Sequence, residues 1–359
     1  MNQEELTKYN LGENLDQIIN LDPRGYGVCR ILYAASRDYT GEPLTMHCAE
    51  LLNKTLKKDD FVYLMTGFVL LPFKKAETDG IISTMLLARS LVKAYGVKPV
   101  IVCAEENMKA VEALSYEMGL HFYKSVDELK QYPVALAGIP ISSDEEKAKV
   151  QSDELMSKAF PSAVIAIECP GENSKGKFHN ATGLNVTDLE AKRDYLFNKL
   201  KAAGVLNIAI GDLGNELGMG TIGEHIKKYV PYAADGACRC GCGGGILSST
   251  AADNIITATV SDWGTYGLIA AISYLKGDIN IMHTKELEEK AMNIACRHDM
   301  IDMYGWLVPA IDGFGVSLNR SIVNIMRECV INAMQLKDTC KTWFDKVIEL
   351  KFYDRIGTA

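Results

Sequence analysis

The stretch FVYLMTGFVLLPFKKAETDGIISTMLLARSLVKAYGVKPVIVC, residues 61–103, indicates the fold. It contains two short apolar runs, Phe61 to Thr66 and Pro99 to Cys103, with a helix-like segment from Gly80 to Tyr95 between them. Strands that are buried on both faces are nearly continuously apolar, and parallel strands need a crossover connection, usually a helix. The stretch therefore predicts a β-α-β unit of a parallel sheet.

The same alternation continues along the chain. Further strands are predicted at Pro133 to Ala137, Ser162 to Glu168, Leu206 to Ile210 and Asn254 to Val260. Further helices are predicted at Asn107 to Met118, Asp144 to Phe160, Thr187 to Ala203 and Trp263 to Leu275. Thr187 with Glu190 three residues later has the form of a capping box at a helix start. The predicted fold class is α/β, a mostly parallel sheet with helices on both faces.

Helical segments flank this body on both sides. Three helices are predicted ahead of it, separated by the turn residues Asp22-Pro23-Arg24-Gly25 and Gly41-Glu42-Pro43. Beyond Thr284 the pattern becomes helical again, and no linker or internal repeat interrupts the chain. We predict one large domain over residues 1–359, with a helical lead 1–58, an α/β body 59–283 and a mainly helical C-terminal part 284–359.

The composition is that of an ordinary folded protein, with 48% hydrophobic and 23% charged residues. The 38 basic and 46 acidic residues give a net charge of -8, which argues against nucleic acid as a partner. Residues 1–20 lack the basic start and apolar core of a secretion signal, and every apolar run is shorter than the roughly 20 residues that span a bilayer. We expect a cytoplasmic protein without a membrane partner, and leave a homo-oligomer open.

Four loops that follow predicted strands carry acids. One acid at a helix start is ordinarily a cap, and this interpretation holds for Asp79 or Asp262 taken alone. In a parallel sheet, however, ligands bind beyond the carboxyl ends of the strands. Acids gathered there repel one another unless a cation or raised pKa values offset the repulsion. Oxygen donors favour Mg²⁺ or Mn²⁺ over zinc. The acids predicted to share this cleft are Glu77, Asp79, Glu168, Asp212, Glu216 and Asp262.

Several nucleotide and hydrolase motifs are missing. The glycines of the run Gly211 to Gly220 do not follow the G-x-G-x-x-G spacing, which argues against an NAD site. The sequence has neither the phosphate-binding loop of ATPases nor the G-x-S-x-G elbow of α/β-hydrolases. Because two acids and an Asn lie among these glycines, we favour a loop whose backbone N–H groups approach a small anionic ligand over a merely tight turn.

Cysteines and one histidine form a second group of interest. Cys238, Cys240 and Cys242 have C-x-C spacing that a soft metal could use. Structural zinc sites normally combine a C-x₂₋₄-C pair with a second pair of ligands, and no second pair is obvious in the sequence. We favour a glycine-rich surface loop with free thiols over a zinc or redox site. His179 lies in a polar loop and suits either acid–base work or hydrogen bonding to a substrate.

Four motif blocks, in this order and spacing over roughly residues 20 to 335, resemble the D-glutamate cyclase family. The blocks are Thr66-Gly67-Phe68 followed by Glu77-Thr78-Asp79-Gly80, Ala166-Ile167-Glu168 with Pro170-Gly171, Gly211-Asp212 with Gly214-Asn215-Glu216 and Gly218-Met219-Gly220, and Val260-Ser261 with Trp263-Gly264. The resemblance implies conversion of D-glutamate to 5-oxo-D-proline and water by a carbon–oxygen lyase. It also implies a fold akin to that of metal-dependent phosphoesterases.

The chain departs from the family pattern at a few positions. Asp262 stands where the family usually has Asn, and Leu213 stands where Gly is common. The added carboxylate of Asp262 could change the charge balance of a metal site. Asp302 and Asp312 lie where the family has paired Asp-Gly steps, although Met303 follows the first of them. These two acids are secondary site candidates.

The family's reaction suggests a role for each candidate. As a hypothesis, the metal or its immediate surroundings are held by Asp79, Glu168, Asp212, Glu216 and Asp262. Glu77 or His179 handles protons, with Asp212 as a further catalytic residue. The substrate, D-glutamate or a similar small acid, is bound by Thr78, Asn180, Asn215, Ser261, Gly214 and Gly218. The alternatives are a Mn²⁺-dependent phosphatase or other hydrolase, since an acidic metal cleft also suits phosphoryl chemistry, and a non-catalytic protein that binds a small metabolite.

Overall fold

Parallel strands form the central sheet of the computed structural model, which describes residues 3–335 and 349–351. In chain order the strands are β1 (Phe61–Thr66), β2 (Val69–Leu70), β3 (Lys75–Ala76), β4 (Lys98–Cys103), β5 (His121–Tyr123), β6 (Ala135–Pro140), β7 (Ala163–Ile167), β8 (Leu206–Gly211), β9 (Asn254–Thr257), β10 (Ala310–Ile311) and β11 (Phe314–Gly315). The helices are α1 (Gln3–Ile19), α2 (Val28–Thr40), α3 (Leu44–Thr55), α4 (Ile81–Tyr95), α5 (Met108–Glu117), α6 (Val126–Gln131), α7 (Glu145–Lys158), α8 (Asp194–Ala202), α9 (Gly223–Tyr229), α10 (Ser261–Lys276), α11 (Lys285–Arg297) and α12 (Val316–Gln335).

The order of strands places a switch point in the middle of the sheet. The seven strands are arranged β5-β6-β4-β1-β7-β8-β9, and all neighbouring pairs are parallel. From β1 the chain first builds one half of the sheet through β4, β5 and β6, and then returns to β7 and builds the other half. The crevice between β1 and β7 is therefore where this class of sheet binds ligands. The remaining strands form two short antiparallel hairpins, β2–β3 and β10–β11.

Two hydrophobic cores cover the two faces of the sheet. Leu64 and Ile165 belong to the core that contains residues of α1, α3, α4, α5, α10, α11 and α12. Tyr63 and Val164, one position earlier on the same strands, belong to the core that contains residues of α2, α6, α7, α8 and α9. Because successive side chains of a strand point to opposite faces and both faces are covered, nearly every position of the central strands β1, β4, β7 and β8 is buried. This explains why the strands are continuously apolar in the sequence.

The predicted α/β class, with helices on both faces and three helices at the N-terminal end, is confirmed. The capping box at Thr187 is wrong, because α8 begins only at Asp194. The Thr187 hydroxyl accepts a hydrogen bond from the Phe178 N–H, and Glu190 accepts one from the Val69 N–H. Residues 336–348 and 352–359 of the predicted helical C-terminal part lie outside the described residues. Among the described helices, none combines the length and apolar character needed to cross a membrane.

Candidate active site

The carboxyl ends of β1, β7, β8 and β9 meet at one edge of the sheet, on both sides of the switch point. The predicted acids lie on the loops at this edge: Glu77 and Asp79 after β1 and the β2–β3 hairpin, Glu168 after β7, Asp212 and Glu216 after β8, and Asp262 at the start of α10. A further acid, Asp312, reaches the same place from the turn of the β10–β11 hairpin. The fold therefore gathers acids that are far apart in the sequence.

Asp79 and Asp262 cap each other's helix. The Asp79 carboxylate accepts hydrogen bonds from the N–H groups of Ser261 at 3.2 Å and Asp262 at 2.8 Å, at the start of α10. The Asp262 carboxylate accepts hydrogen bonds from the N–H groups of Gly80 at 2.8 Å and Ser83 at 3.3 Å, at the start of α4. These bonds satisfy backbone donors that a helix start leaves free. Asp262, expected among the metal ligands, is thus used as a cap and belongs to neither group of acids described below.

Gly80 allows the loops after β1 and β7 to approach each other. Its φ of +83° is one that L side chains rarely adopt, and a Cβ at this position would lie 2.5 Å from the Cβ of Glu168. Glu168 itself has a positive φ of 40°. The close approach brings the Glu168 carboxylate to the start of α10, where its Oε2 accepts a hydrogen bond from the Ser261 hydroxyl at 2.6 Å.

Glu216 organises its own loop. Its Oε1 accepts hydrogen bonds from the N–H groups of Asp212 at 3.1 Å and Leu213 at 2.8 Å, and its Oε2 accepts one from the Gly214 N–H at 2.7 Å. These three bonds hold the backbone of residues 212–214 around the Glu216 carboxylate. The Gly214 N–H, expected to contact a substrate, is therefore engaged within the loop.

Two groups of three carboxylates could each hold a metal ion. They are Asp79, Asp212 and Asp312, and Glu168, Asp212 and Glu216; in each group the ligand oxygens lie within 4.8 Å of one another, and all five residues are buried. Asp212 belongs to both groups, and its Oδ1 is buried without a hydrogen-bond partner among the described residues. Leaving such an oxygen unpaired is costly. An all-oxygen donor set with a free carboxylate oxygen fits a hard divalent cation.

Burial and mutual repulsion raise the pKa values of these carboxyl groups. For Glu77, Asp79, Glu168 and Asp212 the pKa lies well above its ordinary value, first because of burial and second because of a neighbouring carboxylate. Burial raises the pKa of Asp312 to about 7, although the nearby Arg24 guanidinium acts in the opposite direction. The cluster therefore retains protons at a higher pH than isolated carboxyl groups do. A bound cation would take the place of those protons.

Arg24 is a site residue that sequence reasoning missed. Its Nη1 lies 2.8 Å from Oδ2 of Asp312, and its Nη2 donates a hydrogen bond to the Thr259 carbonyl at 3.0 Å. The guanidinium thus places one fixed positive charge at the edge of the acidic cluster. In the sequence, the turn that contains Arg24 indicates only a break between helices. An arginine in an otherwise acidic and polar loop was the available signal.

The residues expected to bind substrate lie in different surroundings. Ser261 contacts the acidic cluster through its hydrogen bond to Glu168. The Thr78 hydroxyl donates a hydrogen bond to the Ala310 carbonyl at 2.6 Å, which ties the loop after β1 to the β10–β11 hairpin. Asn180 accepts hydrogen bonds within its own turn. Ser261 is therefore brought to the acids, whereas the side chains of Thr78 and Asn180 support loops.

Asn215 and Gly218 also lie close to the acidic loop. Asn215 donates a hydrogen bond from Nδ2 to the His179 carbonyl at 3.0 Å, and its Oδ1 is buried without a partner among the described residues. Gly218 has a φ of +97°, and a Cβ there would clash with Ala209. Asn215 thus retains a free acceptor next to Glu216, while Gly218 is required for close packing on β8.

Of the two secondary candidates, Asp312 belongs to the cluster and Asp302 does not. Asp302 Oδ1 accepts hydrogen bonds from the N–H groups of Tyr304 at 3.2 Å and Trp306 at 2.8 Å. It therefore holds the turn that leads towards the β10–β11 hairpin. It is absent from both groups of potential metal ligands found among the described residues.

The His179 ring faces thiols. Its Nε2 lies 3.1 Å from Sγ of Cys240 and 3.7 Å from Sγ of Cys242. Burial lowers the pKa of His179, which favours the neutral imidazole. The structure therefore brings together two features that the sequence analysis treated separately, and it does not place His179 in either group of carboxylates.

The chain is similar to a known family and to a curated human protein. The sequence matches the family described as D-glutamate cyclase-like, C-terminal, over residues 15–327. It is also 33% identical over 113 residues to a Homo sapiens protein named D-glutamate cyclase, mitochondrial. That alignment covers 31% of this chain and 17% of the human protein. The chain therefore corresponds to only a part of that relative.

Proposed function

Because the chain belongs to the D-glutamate cyclase-like family, we propose that it is a carbon–oxygen lyase that closes D-glutamate into 5-oxo-D-proline with loss of water. One observation carries the proposal: the matched residues, 15–327, include Arg24, Asp312 and all the carboxylates of the two potential metal groups. The family likeness and the acidic cluster thus concern the same part of the chain.

The proposed reaction balances without an outside reactant. The amino nitrogen forms a bond to the γ-carboxyl carbon, and one γ-carboxyl oxygen leaves as water. When the substrate enters as an ammonium ion, the nitrogen loses two protons and the departing oxygen gains two. The enzyme must therefore move protons over a short distance and hold the reacting groups in a ring-closing geometry.

Glu77 is the residue that we assign to proton transfer. Burial, reinforced by the nearby Asp79 carboxylate, raises the pKa of Glu77, so that it can hold and release a proton closer to neutral pH. Glu77 belongs to neither group of potential metal ligands found among the described residues, which leaves its carboxyl group available to the substrate. His179 is the alternative for this role, but its Nε2 faces the Cys240 thiol.

The acids of the two carboxylate groups would hold a divalent cation, Mn²⁺ or Mg²⁺, and Asp212 would be the ligand common to both groups. When bound, such a cation polarises a carboxyl group and offsets negative charge on a substrate. Arg24 contributes a further positive charge beside Asp312. Asn215 would accept a hydrogen bond from the substrate amino group through its unpaired Oδ1.

The test is a product assay with both enantiomers. The protein is loaded with Mn²⁺ or Mg²⁺ and incubated with D-glutamate or L-glutamate, and 5-oxoproline is measured after chiral separation. We expect 5-oxo-D-proline from D-glutamate, and a loss of about 100-fold or more in Glu77→Gln. The matched control is Glu106→Gln, an exposed glutamate after β4 at the same edge of the sheet. Failure to form 5-oxoproline with either metal would refute the proposal.

One observation favours a second candidate, a divalent-metal phosphatase or related hydrolase. Asp212 is common to both groups of carboxylates and could bridge two cations, an arrangement used in phosphoryl transfer. Incubation of the same metal-loaded protein with a phosphomonoester, with release of phosphate as the readout, distinguishes this function from cyclisation. Binding of D-glutamate measured by calorimetry, without either product, would indicate a metabolite-binding protein.

A further inference from the structure

Three cysteines and one histidine from two separate loops meet outside the acidic cluster. Cys238, Cys240 and Cys242 lie between α9 and β9, whereas His179 lies on the loop after β7. Their three Sγ atoms and one imidazole nitrogen all lie within 4.8 Å of one another. Cys238 and His179 are buried, and Cys240 is exposed. The four residues are therefore already close together in the fold. The group is buried at Cys238 and His179 and open to solvent at Cys240.

The distances within the group do not fit a disulfide. Sγ of Cys238 lies 3.6 Å from that of Cys240 and 3.4 Å from that of Cys242, whereas a disulfide needs about 2.05 Å. Together with the 3.1 Å and 3.7 Å from His179 Nε2 to the other thiols, they are within about 0.4 Å of the edges of a tetrahedron around a zinc ion. Zn–S bonds of about 2.3 Å and Zn–N bonds of about 2.0 Å place neighbouring ligand atoms about 3.5–3.8 Å apart.

We propose that Cys238, Cys240, Cys242 and His179 bind a structural zinc ion. Thiolate and imidazole ligands select zinc over the hard cations that suit the carboxylate cluster. Four protein ligands complete a tetrahedral shell and leave no open position for a substrate, which is the arrangement of structural sites. The fourth ligand is not obvious in the sequence because His179 lies 61 positions before Cys240.

The surroundings hold both halves of the site in place. Asn173 is buried and donates from Nδ2 to the Cys242 sulfur at 3.4 Å and to the Gly245 carbonyl at 2.7 Å. Its Oδ1 accepts hydrogen bonds from the N–H groups of Lys175 and Lys177, at the start of the segment that leads to His179. One side chain therefore positions the cysteine loop and the histidine loop together, as residues around a metal commonly do.

The backbone of the cysteine loop also favours the arrangement. Gly241 and Gly243 have φ values of +72° and +84°, which L side chains rarely adopt. They alternate with the cysteines, so the chain turns after Cys240 and again after Cys242. These turns return successive thiols to the same point. The glycine-rich composition that suggested a surface loop therefore serves the clustering of the ligands.

The zinc site would stabilise the neighbouring acidic loop. Asn215 donates a hydrogen bond to the His179 carbonyl and directly precedes Glu216. Fixing His179 through Nε2 would therefore fix the loop after β8 that carries Asp212. The zinc would influence the acidic site only by holding this loop in place, since its four ligands lie outside both carboxylate groups.

Metal content of the purified full chain tests the proposal. We expect about one zinc per chain by mass spectrometry in the wild type, and its loss in Cys240→Ser and His179→Gln. Cys296→Ser is the matched control, because Cys296 lies on α11 among neither set of ligands. Asp212→Asn should retain the zinc, which separates this site from the acidic cluster. Zinc content of Cys240→Ser equal to that of the wild type would overturn the assignment.

A measurement on the wild type keeps the proposal testable if the variants do not fold. Removal of zinc by a strong chelator should make three additional thiols reactive towards a disulfide reagent, and zinc should protect them again. Replacement by Co²⁺ should produce the intense visible absorption of tetrahedral cobalt thiolates. Thiols that react equally with and without zinc, or iron with acid-labile sulfide in the purified protein, would contradict a zinc site.

Discussion

Asp212 is the residue on which both groups of potential metal ligands depend. We predict that Asp212→Asn lowers binding of Mn²⁺ or Mg²⁺ and lowers turnover by about 100-fold or more, because the substitution removes the charge that the two groups share. The Asn side chain keeps the size of Asp, so folding should be retained. Calorimetric titration with the metal and the product assay together provide the measurement.

Asp302→Asn serves as the control for this substitution. Asp302 is also a candidate site residue from the sequence, but its Oδ1 accepts hydrogen bonds from the N–H groups of Tyr304 and Trp306. An amide oxygen can accept the same bonds, so metal affinity and turnover should stay within about twofold of the wild type. Equal losses in the two variants would mean that general negative charge, rather than the position of Asp212, controls metal binding.

Asp262 is predicted to stabilise the fold without binding the metal. Because its Oδ1 caps α4, Asp262→Asn should leave metal content unchanged, and Asp262→Ala should lower the free energy of unfolding by about 1 kcal/mol. Denaturant unfolding of both variants, together with metal titration, measures the two effects. A tenfold loss of metal affinity in Asp262→Asn would restore Asp262 as a ligand.

Helix α11 carries a buried ionisable group, Glu288. Burial raises the pKa of Glu288 on α11 to about 8, although the Tyr266 hydroxyl of α10 lowers it. The folded state therefore binds a proton more tightly than the unfolded state, in which the pKa is near 4.5. Its contribution to stability is complete below pH 4.5 and is lost as the pH rises to about 8, with a slope of at most about 1.4 kcal/mol per unit.

We therefore predict that Glu288→Gln removes this dependence. The variant should gain stability relative to the wild type as the pH rises from 5 to 8, because Gln has no proton to lose. Urea unfolding at several pH values measures the difference. Glu286→Gln, an exposed neighbour on α11, should differ from the wild type by a constant amount over the same range. A constant difference for Glu288→Gln as well would show that Glu288 does not titrate as predicted.

The sequence predicted most of the elements because buried parallel strands leave a clear apolar pattern. The run at β1 was predicted with its observed limits, Phe61–Thr66. The edge strand β5, His121–Tyr123, was missed, since three partly exposed residues give no such pattern. The helix predicted from Thr187 begins only at Asp194, because Thr187 and Glu190 bond to other segments. Tertiary hydrogen bonds, which have no local signature, account for that error.

The residues of the candidate site could be predicted from the sequence about as well as the helices and strands. The rule that ligands bind at the carboxyl ends of parallel strands located the acids of three loops, including Asp79, Glu168 and Asp212. It could not separate a cap such as Asp262 from a ligand, because both are acids at a helix start. Nor could it find Arg24, which reaches the cluster from a turn ahead of the sheet. These assignments depend on side-chain directions that only the folded chain defines.

For the whole molecule, the acidic cluster joins segments from both halves of the sheet and from the C-terminal hairpin. We predict that Mn²⁺ or Mg²⁺ at about 100 times its dissociation constant stabilises the wild type by about 2.7 kcal/mol. The rise in midpoint temperature should be absent from Asp212→Asn. Calorimetric melting with and without the metal measures it. An equal rise in both proteins would indicate that the cation binds elsewhere.

The mutual capping of α4 and α10 has a consequence for biosynthesis. The bonds between Asp79 and the start of α10 join residues 182 and 183 positions apart, so neither helix start is complete until both segments have left the ribosome. Asp312 emerges later still. During translation Asp79, Glu168 and Asp212 are therefore made well before the partners that enclose them. The nascent chain therefore cannot assemble the full cluster before the β10–β11 hairpin has emerged.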